Sequence, residues 1–136
     1  MPFVNVKIVK NQVTSEKKKE LIAGLTDLIV EVMGRDRNLT VISIDELGEE
    51  QWAIGGITLN QMNSDKKMVS FVNIKVSRGT TNPIEMAEMI KKTKELFVNI
   101  MGNCEEANYV IIDELNPDGW GFDGISMSER RKQENI

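Results

Sequence analysis

The chain has 136 residues, a formal net charge of −4 at pH 7, one cysteine and no histidine. This composition excludes an intramolecular disulfide, a zinc site with histidine ligands and a catalytic triad with a histidine base, and we expect no metal site. Acidic residues outnumber basic ones in both halves, and no apolar run approaches the roughly 18 residues of a membrane span, so neither a nucleic-acid nor a membrane partner is expected.

The first half of the sequence predicts a strand, a helix, a second strand and a hairpin. Residues 3 to 9 place three aliphatic side chains on one face, as in a half-buried strand. From Thr14, a favourable N-cap, apolar residues recur at helical spacing to Met33, and the glycine that follows ends the helix. Residues 41 to 47 predict the second strand, and paired glycines within residues 51 to 57 indicate a short hairpin.

The second half predicts the same elements with its own boundary signals. A strand is predicted over residues 71 to 77, and Asn82, followed by a proline, is a helix N-cap. An apolar stripe continues to Met101 before a glycine. Residues 109 to 115 form the next predicted strand, and residues 116 to 119 are a turn sequence that leads to a tryptophan.

The two halves repeat one sequence in register. Residues 3–7 read FVNVK and residues 71–75 read FVNIK, and the motif IDEL occurs in both halves. The pairs that define the alignment are Met1 with Val69, Met33 with Met101, Gly34 with Gly102, and Trp52 with Trp120. One β-α-β unit has therefore been duplicated.

The predicted fold is α/β (α+β), with two tandem β-α-β units that form a four-stranded sheet with both helices on one face. The predicted division is a first unit over residues 1–59, a linker over 60–68, a second unit over 69–127 and a polar tail over 128–136 that we expect to be poorly ordered. The other sheet face is expected to be apolar and to be covered by further copies of the chain.

The repeat is broken at the position that carries distinctive chemistry. Removal of Met1 makes Pro2 the N-terminal residue, with a secondary amine that can act as a base or a nucleophile. The equivalent residue of the second unit is Ser70, which has no free amine. The two halves can share a fold but not this chemistry.

Together these features resemble the tautomerase superfamily, specifically its 4-oxalocrotonate tautomerase-like proteins. The motifs that carry the resemblance are Met-Pro before an alternating strand, a threonine-capped helix, Ile-Asp-Glu-Leu in the second strand and Trp-Ala-Ile-Gly-Gly in the hairpin. The tandem repeat is similar to the fused members, in which one chain replaces a dimer. The resemblance implies a homotrimer that uses no cofactor, and the lack of a signal-peptide pattern predicts a cytoplasmic protein.

The resemblance also implies a function. Pro2 is the expected general base of an isomerase that catalyses keto-enol or double-bond isomerisation of a small enol or α-keto acid. Two alternatives remain open at this point. One is another proline-dependent reaction, such as hydration, dehalogenation or decarboxylation of a small acid, and the other is a binding or structural protein that has lost catalysis.

The family's site residues map unevenly onto this sequence. An aromatic residue beside the proline matches Trp52, which could instead be core packing. Neither of the family's two arginines is present. The first arginine position holds Gln12 or Val13 in the first copy and Thr80 or Thr81 in the second. The second arginine position holds Val41 in the first copy and Tyr109 in the second.

Nearby residues are candidate substitutes for these arginines. Arg35, Arg37 and Arg78 could bind the substrate, and the Tyr109 hydroxyl could donate to an enolate oxygen. The alternative interpretation is a set of solvated surface charges and a β-favouring aromatic residue. With the family arginines missing, we expect few cationic contacts and no preference for dicarboxylates over monoacids.

Overall fold

The computed structural model describes residues 1–62 and 66–134. The first half contains β1 (Phe3–Val9), α1 (Ser15–Met33), β2 (Val41–Leu47) and the hairpin strands β3 (Ala53–Ile54) and β4 (Ile57–Thr58). The second half contains β5 (Ser70–Ser77), α2 (Pro83–Met101), β6 (Tyr109–Leu115), the hairpin strands β7 (Gly121–Phe122) and β8 (Ile125–Ser126), and α3 (Met127–Glu134). Short 3₁₀ turns occur at Arg37–Leu39, Glu49–Gln51 and Leu59–Gln61.

The predicted fold is confirmed. The four long strands form one sheet in the order β2-β1-β5-β6, with parallel pairing inside each unit and antiparallel pairing between units. Both long helices pack on the same sheet face. Their side chains join the aliphatic residues of β1 and β5 in a single buried cluster.

Helix boundaries follow the local signals in the sequence. The Thr14 side chain accepts a hydrogen bond from the backbone N–H of Lys17 at 3.2 Å, and Asn82 accepts one from the N–H of Glu85 at 2.9 Å. Each side-chain oxygen thus satisfies one of the amide groups that a helix start leaves unpaired. Gly34 ends α1 with φ of 65°, in the left-handed region that glycine adopts without a steric penalty.

Pairing between β1 and β5 relates the two units by an approximate twofold rotation. Asn5 lies opposite Asn73, its own equivalent in the repeat, and Val4 and Val6 lie opposite Ile74 and Val72. Because these strands are antiparallel, the start of β1 lies beside the end of β5. Pro2 is therefore brought to the end of the second unit where β7 and β8 follow β6.

The core lies between the sheet and the two long helices. Each helix buries a narrower stripe than its sequence predicts, because Ile22 and Ile90 remain 38% and 42% exposed. The buried helix residues are Leu21, Leu25, Ile29 and Met33 in α1 and Met89, Thr93 and Phe97 in α2. From the sheet, the main contributors are Val4, Val6, Ile8, Val72, Ile74 and Val76.

The sheet face away from the helices is mixed in character, whereas the sequence analysis expected it to be apolar. Its apolar residues include Phe3, Val41, Tyr109 and Ile111, which are 40% to 67% exposed. Its centre is polar, with the ion pairs Lys7–Asp45 and Lys75–Asp113, both at 3.0 Å. Asn5 and Asn73 donate to the same two carboxylates.

The expectation of a poorly ordered tail is wrong for residues 128–134, which belong to α3 (Met127–Glu134). The backbone N–H of Met127 donates to the carbonyl of Trp120, and Arg130 and Arg131 bind backbone carbonyls of the second unit, which anchors the helix. Residues 63–65 of the predicted linker and 135–136 of the predicted tail lie outside the described residues. Within the described part of the chain, no helix combines the length and apolarity needed to cross a membrane.

We expect Ile74→Ala to lower the free energy of unfolding by about 2–5 kcal/mol, because it leaves a cavity in the core. Ile74 is fully buried, whereas Ile84 in α2 is 82% exposed. The matched control is therefore Ile84→Ala, which should change stability by less than about 0.5 kcal/mol. Chemical denaturation at one protein concentration measures both, and equal losses would contradict the assigned core.

Candidate active site

Pro2 lies buried at the entrance to β1. Its carbonyl accepts a hydrogen bond from the backbone N–H of Val41 at 3.4 Å, which continues the parallel pairing of β1 and β2. The residue also lines a cavity of about 370 Å³ that is open to solvent. This volume is ample for a small organic acid.

One wall of the Pro2 cavity is apolar and aromatic. Trp120 and Phe122 from the second unit face Leu39 and Val41 from the first, with Met127 of α3 beside them. The indole Nε1 of Trp120 donates a hydrogen bond to Ser77 Oγ at 2.9 Å. Ser77 is the last residue of β5 and is buried, so the bond fixes the indole ring at the cavity wall.

Trp52 does not contribute to this wall. It packs on a buried cluster of Val9, Val69 and Leu59 at the opposite end of β1. Trp120, together with Phe122, thus supplies the aromatic wall beside Pro2 within the chain, where the sequence had suggested Trp52 for that role. The antiparallel pairing of β1 with β5 explains why Trp120, and not Trp52, lies near Pro2. The start of β1 lies beside the end of β5, at the end of the sheet where the hairpin of the second unit is found, and the start of β5 likewise lies near the hairpin of the first unit.

A second, smaller cavity of about 110 Å³ lies next to the first. It is lined by Met1, Ser77 and Thr80 together with Met127 and three charged residues of α3, Arg130, Arg131 and Glu134. Met1 and Met127 line both cavities. Met1 therefore stands between the apolar wall and a region rich in arginine.

Arg130 and Arg131, which line this second cavity, and Arg35, which contacts its lining residue Thr80, are all held by neutral acceptors. Arg35 donates to the carbonyl and the hydroxyl of Thr80 at 2.8 and 2.9 Å. Arg130 donates to the Phe122 carbonyl at 3.0 Å, and its guanidinium carbon lies 3.7 Å from the centre of the Phe122 ring. Arg131 donates to the carbonyl of Arg78 at 3.0 Å.

The other predicted substrate-binding residues are placed elsewhere. Arg37 pairs with Asp27 on the surface at 2.8 Å, and the side chain of Arg78 is exposed. Tyr109 begins β6 opposite Phe71 and is 67% exposed, far along the sheet from Pro2. Of the predicted set, Arg35 acts on the N-terminal amine and contacts the second cavity through Thr80.

Sequence analysis missed Arg130 and Arg131 because their segment is polar and was assigned to a disordered tail. A signal for them was present, since residues 127–134 lack glycine and proline and contain a Glu–Lys pair at i, i+3. The expectation of few cationic contacts to the substrate stays a prediction, although two arginines outside the predicted set line the cavity next to Pro2.

The electrostatic surroundings favour a neutral amine at the N-terminus. The Met1 α-amino group is half-buried, and burial lowers its pKa below the ordinary value. Arg35 and Arg131 lower the pKa further, and Glu134 partly opposes them. Desolvation and nearby cations both disfavour the ammonium form, which leaves a lone pair available to accept a proton.

Cys104 is not a second candidate nucleophile. It follows α2 in a bridge with Met68, at the far end of the sheet from Pro2. Burial raises the pKa of its thiol, so the unreactive protonated form dominates at neutral pH.

Comparisons with known proteins agree with the duplicated fold. The family model for tautomerase enzymes matches twice, over residues 2–61 and 71–130. A probable tautomerase K2 of Dickeya dadantii is 48% identical over 61 residues, which is 45% of this chain and 91% of that protein. A fused 4-OT solved as a symmetric trimer superposes with a TM-score of 0.81 at 17% identity, over 94% of this chain and 98% of that one. The structure of Pt0534 inactivated by 2-oxo-3-pentynoate gives a TM-score of 0.80 at 16% identity, over 93% and 97% of the two chains.

We expect Arg35→Gln to raise the pKa of the N-terminal amine, because it removes the strongest nearby cation acting on that group. Nuclear magnetic resonance titration of the amine measures the shift directly. Arg37→Gln is the matched control, since Arg37 is paired with Asp27 on the surface. A titration unchanged by Arg35→Gln would contradict the electrostatic account of the site.

Proposed function

The chain belongs to the tautomerase family, and we propose that it is an isomerase in which Pro2, freed by removal of Met1, is the general base. The substrate is a small enol or α-keto acid that undergoes keto-enol or double-bond isomerisation. The observation that carries this proposal is the position of Pro2 in a cavity with aromatic lining, next to a second cavity lined by arginines. At this place burial, and then Arg35 and Arg131, lower the pKa of the Met1 α-amino group, and we expect them to act in the same direction on the amine of Pro2 once Met1 is removed.

In the proposed reaction, the neutral secondary amine of Pro2 takes a proton from the substrate. The electrons of the broken bond move through the conjugated system, and the resulting prolinium returns the proton to a different carbon. No oxidant or further reactant is needed, because the reaction only relocates one proton. A base works best when its pKa lies near the working pH, which is the direction in which burial and Arg35 shift the amine.

Only one such site is proposed in each chain. At the other end of the sheet, Ser70 occupies the position equivalent to Pro2, and its backbone N–H donates to the Asn108 side chain at 3.1 Å. Trp52 is packed there against Val9 and Leu59 instead of lining an open cavity. The second unit therefore supports the Pro2 site and does not duplicate it.

We also infer that three chains associate through the sheet face away from the helices. The apolar residues at its borders are too exposed for an isolated chain, and the outer strands β2 and β6 have unpaired edges. A fused 4-OT of the same fold is a symmetric trimer, which supports this stoichiometry.

We expect Pro2→Ala to reduce kcat/KM for any isomerisation by at least about tenfold, because the primary amine differs in basicity and in rigidity. Candidate enol acids are assayed on protein whose intact mass shows that Met1 has been removed. Ser70→Ala is the matched control and should retain full activity. Equal losses in the two variants would refute the assignment of the base.

The same variants can be tested without knowledge of the substrate. The alkyne of 2-oxo-3-pentynoate is electrophilic because it is conjugated with the ketone. A neutral secondary amine can form an N–C bond at the alkyne carbon farther from the ketone, one C–C π bond breaks, and the N–H proton passes to the adjacent alkyne carbon. We expect one label per chain, on the N-terminal peptide by mass spectrometry. Labelling elsewhere, or labelling equally fast at pH values far below the amine pKa, would contradict a neutral Pro2 amine.

Assembly can be tested through one residue of the open sheet face. Ile111→Lys should convert the trimer to smaller species in sedimentation experiments, because it places a charge in the proposed interface. Ile84→Lys is the control, since Ile84 lies on α2 and is 82% exposed. A wild-type protein that is monomeric at micromolar concentration would overturn the proposed assembly.

A further inference from the structure

The two ends of the sheet differ in how the space beside the strand start is filled. At the Ser70 end, Val69 is fully buried and packs with Val9 and Leu59. The residues equivalent to Val69, Val9 and Leu59 at the Pro2 end are Met1, Ser77 and Met127. Met1 thus occupies the place that a permanent core residue fills at the other end.

Unlike Val69, Met1 is an end residue that can be excised. It lines both the aromatic cavity beside Pro2 and the arginine-rich cavity beside α3. We expect the two cavities to connect once Met1 is removed, because both are lined by Met1. Pro2 and Trp120 would then share one cavity with Arg130 and Arg131.

The arginines at this place lack anionic partners. None of Arg35, Arg130 and Arg131 forms a salt bridge with a carboxylate in the described part of the chain. The Nε atoms of Arg35 and Arg130 are buried and have no hydrogen-bond partner among residues 1–62 and 66–134. Bringing unpaired guanidinium groups together in partly buried space is unfavourable unless an anion joins them.

Nearby acidic residues do not fill this role. Glu134 lines the cavity but makes no ion pair within the described residues, and Glu85 accepts a hydrogen bond from the Thr81 hydroxyl at 2.7 Å. The equivalent of Arg130 in the first unit is Met62, which packs with the apolar cluster around Trp52. The group of arginines therefore belongs to the Pro2 end alone.

We propose that Arg35, Arg130 and Arg131 form an anion-binding subsite that takes the carboxylate of a small acid whose planar or apolar part lies against Trp120. Met1 covers the passage between this subsite and Pro2, and its removal opens it. The assignment rests on the proposed function, since it places the carboxylate beside the proposed base. Ser77 and Thr80 lie at the same cavity and supply hydroxyl groups.

Calorimetry with phenylacetate and its neutral isostere phenylacetamide tests the subsite on the full chain lacking Met1. We expect phenylacetate to bind at least about tenfold more tightly, and Arg131→Gln to remove most of that preference. Arg131 is the first variant because it contributes only one hydrogen bond to the fold, to the Arg78 carbonyl. Arg130→Lys and Arg35→Lys follow, with thermal unfolding as the check that each variant is folded.

The matched control is Lys132→Gln on the same helix. The Lys132 ammonium group lies on the surface, 3.9 Å from a carboxylate oxygen of Glu129. This variant should bind phenylacetate as the wild type does. Protein that retains Met1, made with methionine aminopeptidase inhibited, should bind phenylacetate at least about tenfold more weakly. Equal binding of the acid and the amide, or arginine variants that bind like the wild type, would overturn the proposal.

The outcomes separate this subsite from the proposed function. Arginine-dependent binding of phenylacetate, without labelling of Pro2 by 2-oxo-3-pentynoate, would leave the subsite standing and refute the base. Labelling of Pro2 would support the base. If phenylacetate binding were also unchanged in the arginine variants, the subsite would be refuted.

Discussion

The antiparallel pairing of β1 with β5 is the interaction on which the rest of the molecule depends. It sets Asn5 opposite its own repeat equivalent, Asn73, and so fixes a twofold relation between the two units. A shift of one residue would turn the buried aliphatic face of one strand to the open side of the sheet. The same register carries Pro2 to the end of β5, where the second unit provides Ser77 and Trp120. The site therefore exists only when both units pair.

Duplication within one chain allows the two ends of this pair to serve different purposes. At one end, Val9, Leu59 and Val69 are buried and form a small core under Trp52. At the other, Ser77 replaces the equivalent valine and holds Trp120 by a hydrogen bond, which keeps the indole beside an open cavity. Two identical subunits related by symmetry would have to use the same residues at both ends. One chain with two diverged copies does not have this constraint.

Local signals in the sequence were sufficient for the long strands and the two long helices but not for α3 or for the site. The caps at Thr14 and Asn82 and the alternation in β1 depend on neighbouring residues, and the structure has them as predicted. Trp52 was matched to the Pro2 end of the sheet, although it packs at the opposite end. The correct match depends on which strand pairs with β1, and no short-range sequence pattern predicts that pairing. Arg130 and Arg131 were missed for a related reason. The polar helix that carries them is held by hydrogen bonds to the Phe122 and Arg78 carbonyls, and no local pattern in the sequence predicts these contacts.

The proposed base and the proposed anion subsite are electrostatically coupled. Burial lowers the pKa of the Met1 α-amino group, and Arg35 and Arg131 lower it further, so we expect the same surroundings to favour a neutral amine on Pro2 once Met1 is removed. A carboxylate bound at the same arginines would offset their charge, and the amine would regain proton affinity at the moment the substrate is in place. The cations would thus act twice, first to keep the base unprotonated and then to position the acid. These two effects require no movement of the backbone, because the carboxylate of the bound substrate itself supplies the negative charge that offsets the arginines.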